Sequence, residues 1–417
     1  MKKRKNLAKY FHIFASTAVL HVASRYIERP EGRLRKRSAV SVTHPTLHPK
    51  DTGTSMRLVK RLAANRRLLA LLLVLGLFTL ARVSLPIFES PPPQPLEWRV
   101  DPAHRKLVHK HVQSILDGEC VRGQMRQALR RLLPDSSQNT RPFLWRDSSL
   151  PEEFFLFPPP FGFKGLRDQI TNVLQLLPES SSQVQLDKCS RCVVVGNGGI
   201  LKGLELGPFI DQFDTIIRLN NGPLGKFVAD VGNRTSVRMA YPESTALLWA
   251  DSDPHALFVA VVYKAVDIRW VSAMIRKTYV ALWDRFFFWQ KVPDHVPIES
   301  HRFRLLNPDV IRETALDLLQ YPTPRFRLWG WDRNVPTLGA TAVTLASLLC
   351  DQVSLAGFGY DFSHQGAPLH YYDHLVMDRI LQEKMHNVNR ETELLKSLVK
   401  TGTVSDLTGG IESIHPS

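Results

Sequence analysis

From Leu68 to Ala81 the chain reads LLALLLVLGLFTLA, fourteen residues without a charge, and beyond Arg82 it stays apolar to Phe88. The whole span of 21 residues is about the length that crosses the hydrocarbon core of a bilayer. A buried core helix is the competing reading, and the flanks weigh against it. Lys60, Arg61, Arg66 and Arg67 crowd one end, while Glu89 and the PPPQP run follow the other. That asymmetry is the positive-inside pattern, and Arg82 lies near enough to an end to snorkel. A cleaved signal peptide does not fit, because the basic segment ahead of the apolar run is far too long. The expected layout is a basic cytosolic tail (1–67), a single transmembrane signal anchor (68–88), a Pro-rich linker with a helical stem (89–155), and a lumenal domain (156–417).

Charge follows the same division. The formal net charge of +15 invites a nucleic-acid reading, but residues 1–67 hold 17 Lys/Arg against Glu28, Glu31 and Asp51. That leaves about +1 on the remaining 350 residues. A basic tail without a basic domain removes the main support for a nucleic-acid partner. The four cysteines, Cys120, Cys189, Cys192 and Cys350, all lie beyond the anchor. An even number in an oxidising compartment reads as two disulfides; a zinc site would need a second close pair beside CSRC. Asn233-Arg234-Thr235 is an N-glycosylation sequon on the same side.

Past the Pro-rich FPPPFGF at 157–163, short apolar strands alternate with helical patterns. LRDQITNVLQLL is helical and CVVVG a strand, and ILKGLELGPFIDQF has helical spacing. The strand-like DTIIRLN, TSVRMAY and ALFVAVVY precede the amphipathic VDIRWVSAMIRK. RFRLLN, PDVIRETALDLLQY, TLGATAVTLASLLC and QVSLAGFGYD continue the alternation. This pattern predicts an α/β domain around a mostly parallel sheet flanked by helices.

Four stretches carry chemistry. In CVVVGNGGILKGLELG a buried strand runs into a glycine-rich turn, with Asn197 at its tip. The stretch reads either as a nucleotide-phosphate loop or as a plain tight turn. Leu201 stands where the dinucleotide fingerprint needs glycine, and no Gly-Lys-Ser/Thr follows. In a parallel sheet Asn220, in RLNNGP, falls on the same carboxyl edge. Asp251-Ser252-Asp253 has the form of a metal-diphosphate pair, but a surface turn before Pro254 is the favoured reading. His370 and His374 are four apart and would share a helix face, where Asp373 could complete a metal site; the favoured reading of His374 is a structural histidine, and Tyr371, where HExxH needs glutamate, speaks against a metalloprotease. His386 precedes a helix announced by Asn387 and Asn389 and stopped by Gly402. There the helix dipole favours the neutral imidazole that a general base needs, and Glu391 is placed to orient the ring.

Together these stretches resemble the animal sialyltransferases, glycosyltransferase family 29. The large motif is matched by residues 192–239, the small motif by 335–361, the third by His370-Tyr371-Tyr372-Asp373, and the very small motif by His386 with Glu391. The resemblance covers roughly residues 97–417. It implies a single Rossmann-like domain, a variant of the GT-A fold, and a CMP-sialic acid donor with no metal or other cofactor. It also implies inverting transfer to the 3-hydroxyl of galactose. The acceptor it points to is a galactose-terminated glycolipid, lactosylceramide, giving ganglioside GM3; galactose of glycoprotein glycans is the alternative. Asn197, Asn220, Thr337, Leu338, Gly339 and Tyr360 would bind the donor, His370 would meet the leaving phosphate, and His386 would be the base. Glu391 and Tyr371 would support them. Cys192 would pair with Cys350 and Cys120 with Cys189. The setting implied is a single-pass type II Golgi membrane protein, and a homo-oligomer is compatible with it.

Overall fold

The computed structural model describes residue 73 and residues 99–412, apart from 133–139, 181–187, 246–252, 254, 325, 328–329, 332–333, 360–366, 374 and 376–385. The expected span 68–88 lies outside the described residues except for residue 73, and so do His374 and Tyr360. Among the described residues no helix is long and apolar enough to cross a membrane. Residues 95–417 form one compact unit.

The chain begins with helices α1 (Pro102–Asp117) and α2 (Gln124–Leu132), then strand β1 (Phe143–Leu144) and helix α3 (Arg167–Leu174). Strand β2 (Arg191–Val195), a one-turn helix α4 (Gly207–Ile210), β3 (Thr215–Leu219) and a one-turn helix α5 (Val228–Val231) follow. Next come β4 (Val237–Ala240), β5 (Leu257–Ala260), α6 (Ala265–Ile275), β6 (Phe303–Leu306) and α7 (Pro308–Arg312). A small antiparallel pair, β7 (Phe326–Arg327) and β8 (Gly330–Trp331), precedes α8 (Leu338–Leu349). Strand β9 (Gln352–Ala356), α9 (Val388–Lys400) and β10 (Ser405–Asp406) complete the unit.

Eight strands form one sheet in the order β1-β6-β5-β4-β3-β2-β9-β10. Only the β1–β6 pair is antiparallel; the other neighbours run parallel. The central strands are apolar on both faces because helices cover both. Along β2, Cys192 and Val194 join one core cluster while Val193 and Val195 join another, the period of two expected of a strand. The first cluster sits under α8, α7 and α9, the second under α1, and a third fills the space around α3 and α6.

Two expectations change. Helix α1, expected in a stem, puts Val108 and Val112 at 0% exposure in the core. Strand β1 is the edge of the main sheet, with Phe143 in register with Leu306. The catalytic fold thus takes in residues well ahead of 156. In addition, ILKGLELGPFIDQF is not a continuous helix. It is a 3-10 turn (Gly199–Leu201) and the short α4. Gly203 and Glu205 between them have φ of 82° and 53°, which no right-handed helix accommodates.

The disulfides Cys120–Cys189 and Cys192–Cys350 are both present, closing 69 and 158 residues of sequence. The second ties the start of β2 to the end of α8.

Candidate active site

The sheet changes direction between β2 and β9. From β2 the chain builds outward through β3, β4, β5 and β6, then returns to the other side of β2 for β9 and β10. The crevice beyond the carboxyl ends of two such strands is where open α/β sheets bind ligands. Here it is framed by the loops after β2 (Gly196, Asn197, Gly198), β3 (Asn220) and β9 (Gly357, Phe358). The glycines serve close packing. A Cβ on Gly198 would lie 2.5 Å from the Gly357 carbonyl oxygen, and one on Gly199 only 2.0 Å from that of Pro368. They let the β2 loop lie directly against its neighbours, which aims Asn197. At Gly222 a Cβ would come within 2.4 Å of Asn197 Oδ1 and 2.9 Å of the Tyr371 hydroxyl, so the β3 loop closes over the same spot. Asn220 takes the left-handed conformation, φ 54°, which asparagine tolerates better than most residues. Its carbonyl, with that of Gly222, accepts from the buried Arg238 guanidinium. Its Oδ1 is buried without a partner among the described residues, an acceptor awaiting a ligand donor.

The third loop brings His370. Gly198 and His370 form an isolated antiparallel bridge, Tyr371 N–H donates to the Asn197 carbonyl at 3.2 Å, and Gly199 N–H donates to Leu369 at 3.1 Å. Tyr371 is 3% exposed and donates its hydroxyl to Pro223 at 2.8 Å, joining this loop to the β3 loop. The His370 ring stacks on Tyr372 with an interplanar angle of 1°. Its Nδ1 lies 2.8 Å from Asp373 Oδ2, and Asp373 Oδ1 accepts from Leu375 N–H at 3.0 Å. A carboxylate can only accept there, so Nδ1 carries the proton and Nε2 is left for a ligand. Asp373 therefore orients the His370 ring; His374, the remaining member of the expected trio, lies outside the described residues.

On the far side stands the N terminus of α8. Thr337 caps it, its Oγ1 accepting from Ala340 N–H at 3.1 Å. Among the described residues the amides of Leu338 and Gly339 have no protein partner, which leaves two N–H donors at the positive end of a helix. The Phe358 ring connects the two sides: a Cβ on Gly339 would meet it at 3.1 Å and one on Gly196 at 3.3 Å. Glu391, 6% exposed on the first turn of α9, accepts from Thr337 N–H at 2.8 Å and from Thr337 Oγ1 at 2.5 Å. Both oxygens thus engage the α8 cap, and the charge of Glu391 acts on the nearby His386. Burial pushes the Glu391 carboxyl up; the Thr337 bonds and then the nearby His386 oppose that rise. His386 is held by its own backbone partner, with Nδ1 lying 2.8 Å from the Val335 carbonyl. A carbonyl only accepts, so Nδ1–H donates and the neutral ring carries its lone pair on Nε2.

Tyr241, Glu243, Tyr263 and Lys264 follow β4 and β5 on the same edge. Tyr241 and Tyr263 meet edge to face with centroids 5.5 Å apart. Tyr372 is pushed up to about 12, first by burial and then by Asp373 and Tyr241. Lys264 Nζ bridges Glu243 at 2.6 Å and Asp267 at 2.8 Å, both carboxylates being 0% exposed. Burial raises Asp267 to about 6, with Lys264 opposing it and Glu243 adding to it. A raised carboxyl favours folding when protonated, so its contribution is complete below the unfolded value of 3.8 and is lost as pH rises through about 6. That loss amounts to about 3 kcal/mol. Asp267→Asn is expected to flatten this part of the stability curve, read as urea midpoints at pH 4.5 and 6.5. A variant whose midpoints track the parent at both pH values overturns the assignment.

Residues 143–403 match the sequence profile of Glycosyltransferase family 29 (sialyltransferase). The chain belongs to that family. The rat and human lactosylceramide alpha-2,3-sialyltransferases are each 44% identical to it. The match takes in 75% of this chain with 81% of the rat protein, and 75% with 76% of the human one. The human CMP-N-acetylneuraminate-beta-1,4-galactoside alpha-2,3-sialyltransferase is 38% identical across 71% of this chain and 78% of its own length. A crystal structure of a mammalian sialyltransferase superposes with a TM-score of 0.54 and 22% identity, covering 69% of this chain and 97% of that one. That likeness is one of fold.

In this sialyltransferase Asn197, Asn220, Thr337, Leu338, Gly339, His370, Tyr371, His386 and Glu391 lie on the loops and helix starts that frame the crevice. Tyr360, His374 and Asp251 lie outside the described residues. Asp253 caps its own turn, accepting from His255 N–H at 2.8 Å. Among the described residues no three His, Cys, Asp or Glu side chains gather to hold a metal ion. Sequence reasoning missed the Val335 carbonyl, the Phe358 spacer, the buried Arg238 and the Glu243–Lys264–Asp267 cluster. The carbonyl and the ring carry no motif. Lys264 and Asp267, three apart at a helix start, were a local signal that passed unused.

Proposed function

We propose that this sialyltransferase moves sialic acid from CMP-sialic acid to the 3-hydroxyl of the terminal galactose of lactosylceramide, with inversion and without a metal. The observation that carries the reading is His386, whose Nδ1–H is engaged by Val335, so that among the described residues Nε2 is left to act as a base. His386 Nε2 takes the proton of the galactose 3-hydroxyl as that oxygen bonds to the anomeric carbon of the sialic acid. The bond from that carbon to the CMP phosphate breaks, and the phosphate leaves with the electron pair. His370 Nε2 and the amides of Leu338 and Gly339 face the charge that develops there. Asn197 and Asn220 hold the nucleotide. The lactosylceramide acceptor is favoured by the 44% relatives over the galactoside enzyme at 38%.

Supplying CMP-sialic acid with lactosylceramide or with an asialo-glycoprotein tests the acceptor; product only on the glycoprotein overturns the glycolipid reading. EDTA is expected to leave the rate unchanged, and a loss of activity would bring Asp251 and Asp253 back as metal ligands.

The same reading makes the chain a type II Golgi membrane protein with residues 68–88 as its anchor and the disulfide-bonded unit in the lumen. Asn233 is exposed and its sequon partner Thr235 buried, which leaves the asparagine open to glycosylation. A single N-glycosidase-sensitive shift, absent in Asn233→Gln, is the expected signature. No shift in the parent protein would refute a lumenal sequon.

A further inference from the structure

After α6 the chain carries a run of large apolar side chains on the surface. Tyr279 is 86% exposed, Leu282 75%, Trp283 68%, Phe286 56% and Trp289 54%. Trp283 and Phe286 meet edge to face at 5.7 Å. Apolar surface of this kind on a folded domain marks a contact site. The segment is held firmly beneath. Phe288, Val292 and Val296 are buried in the α3–α6 core, Arg269 pairs with Asp284 at 2.8 Å, and Arg285 pairs with Asp294 at 2.5 Å.

We propose that residues 279–289 dock on the lipid bilayer and bring the crevice to a membrane-held acceptor; this rests on the glycolipid reading above. Three observations select a bilayer as occupant. The side chains are the Trp, Tyr, Phe and Leu set that settles at a membrane interface. Basic residues flank it in sequence: Arg276 and Lys291 are exposed, and Lys277 is exposed and paired with Glu299 at 3.2 Å; the excess of positive charge that remains suits anionic head groups. The patch is also continuous with the catalytic edge. Trp289 N–H donates to Glu243 Oε1 at 3.4 Å, and the Trp289 and Tyr241 ring centroids are 6.4 Å apart. A disaccharide head group reaches only a short way out of a bilayer, so the enzyme has to bring its site down to the sugar. From residue 89 to the start of α1 the linker is thirteen residues, at most about 45 Å when extended. An anchored domain thus stays within reach of its own membrane.

The test uses the full chain reconstituted in vesicles containing brominated phospholipid, whose acyl chains quench nearby tryptophan. Residues 68–88 contain no tryptophan, so an inserted anchor contributes none of the signal. The parent protein is expected to be quenched and the variant Leu282→Ser/Trp283→Ser/Phe286→Ser to lose part of that quenching. With lactosylceramide in the same bilayer the variant is expected to be slower by on the order of tenfold, because bilayer docking raises the effective acceptor concentration. Its kcat/KM on soluble lactose is expected to match the parent. Equal quenching in parent and variant overturns the proposal. A parallel loss on both acceptors overturns it too, since the residues would then be serving the site. A variant that changes only the oligomeric state, with quenching intact, assigns the patch to a second copy of the chain instead. Failure of the parent protein on detergent-dispersed lactosylceramide refutes the acceptor reading and leaves the quenching result standing on its own.

Discussion

Replacing His386 with alanine is expected to lower transfer by about a hundredfold to ten-thousandfold, the usual span for losing a positioned general base. CMP affinity is expected to stay within about twofold, because no donor-binding group is removed. The expectation comes from the ring's hydrogen bonding. Among the described residues its ring is bonded from Nδ1 to the Val335 carbonyl, two residues before the α8 cap. The ring is thus oriented by the same short stretch that carries the Leu338 and Gly339 amides. Under the proposed mechanism acceptor deprotonation and leaving-group stabilisation would both be set from that one segment, which would keep them at fixed separation. His386→Ala removes the first function and leaves the second. Equilibrium binding of CMP and single-turnover transfer separate the two. Retained turnover, or CMP binding lost in parallel with turnover, refutes the base assignment.

Much of this was legible in the chain. Strand-helix alternation gave the parallel sheet, because strands buried on both faces read as unbroken apolar runs such as CVVVG, and Asn387 and Gly402 bounded α9 by local capping chemistry. Residues 200–213 read as a helix because their apolar spacing is helical, while the positive φ at Gly203 and Glu205 answers to a long-range demand. That demand includes the Arg105–Glu205 ion pair, which ties this loop to α1. The stem assignment failed for a related reason. Helix α1 looks polar and free-standing in sequence, and only the fold supplies the apolar floor on which Val108 and Val112 sit. The roles of Asp373 and Glu391 were open for a further reason. Spacing places a carboxylate near a histidine, but it does not say which hydrogens that carboxylate accepts. Asp373 accepts from its histidine; Glu391 accepts from a threonine 54 residues upstream.

Glu391 accordingly has two separable duties, and two substitutions divide them. Its oxygens satisfy Thr337 N–H and Oγ1, and its charge lies near a His386 ring that becomes positive as it takes the acceptor proton. Glu391→Ala strands both Thr337 groups in a half-buried setting. It is expected to cost about 2–3 kcal/mol of stability and to loosen the first turn of α8, so that CMP affinity and kcat fall together. Glu391→Gln keeps an acceptor for Thr337 N–H and needs no buried charge. Burial already holds the native carboxyl above its ordinary range, so the neutral amide is expected to fold with parental stability and CMP affinity. What the amide lacks is the negative charge facing the imidazolium, and kcat is expected to fall by about tenfold to a hundredfold. Alanine with parental CMP affinity would remove the capping role; glutamine with parental kcat would remove the electrostatic one. The measurements are denaturant midpoints, CMP titration and kcat on the three proteins. Only a residue that both braces a helix start and faces the base gives this split between affinity and rate.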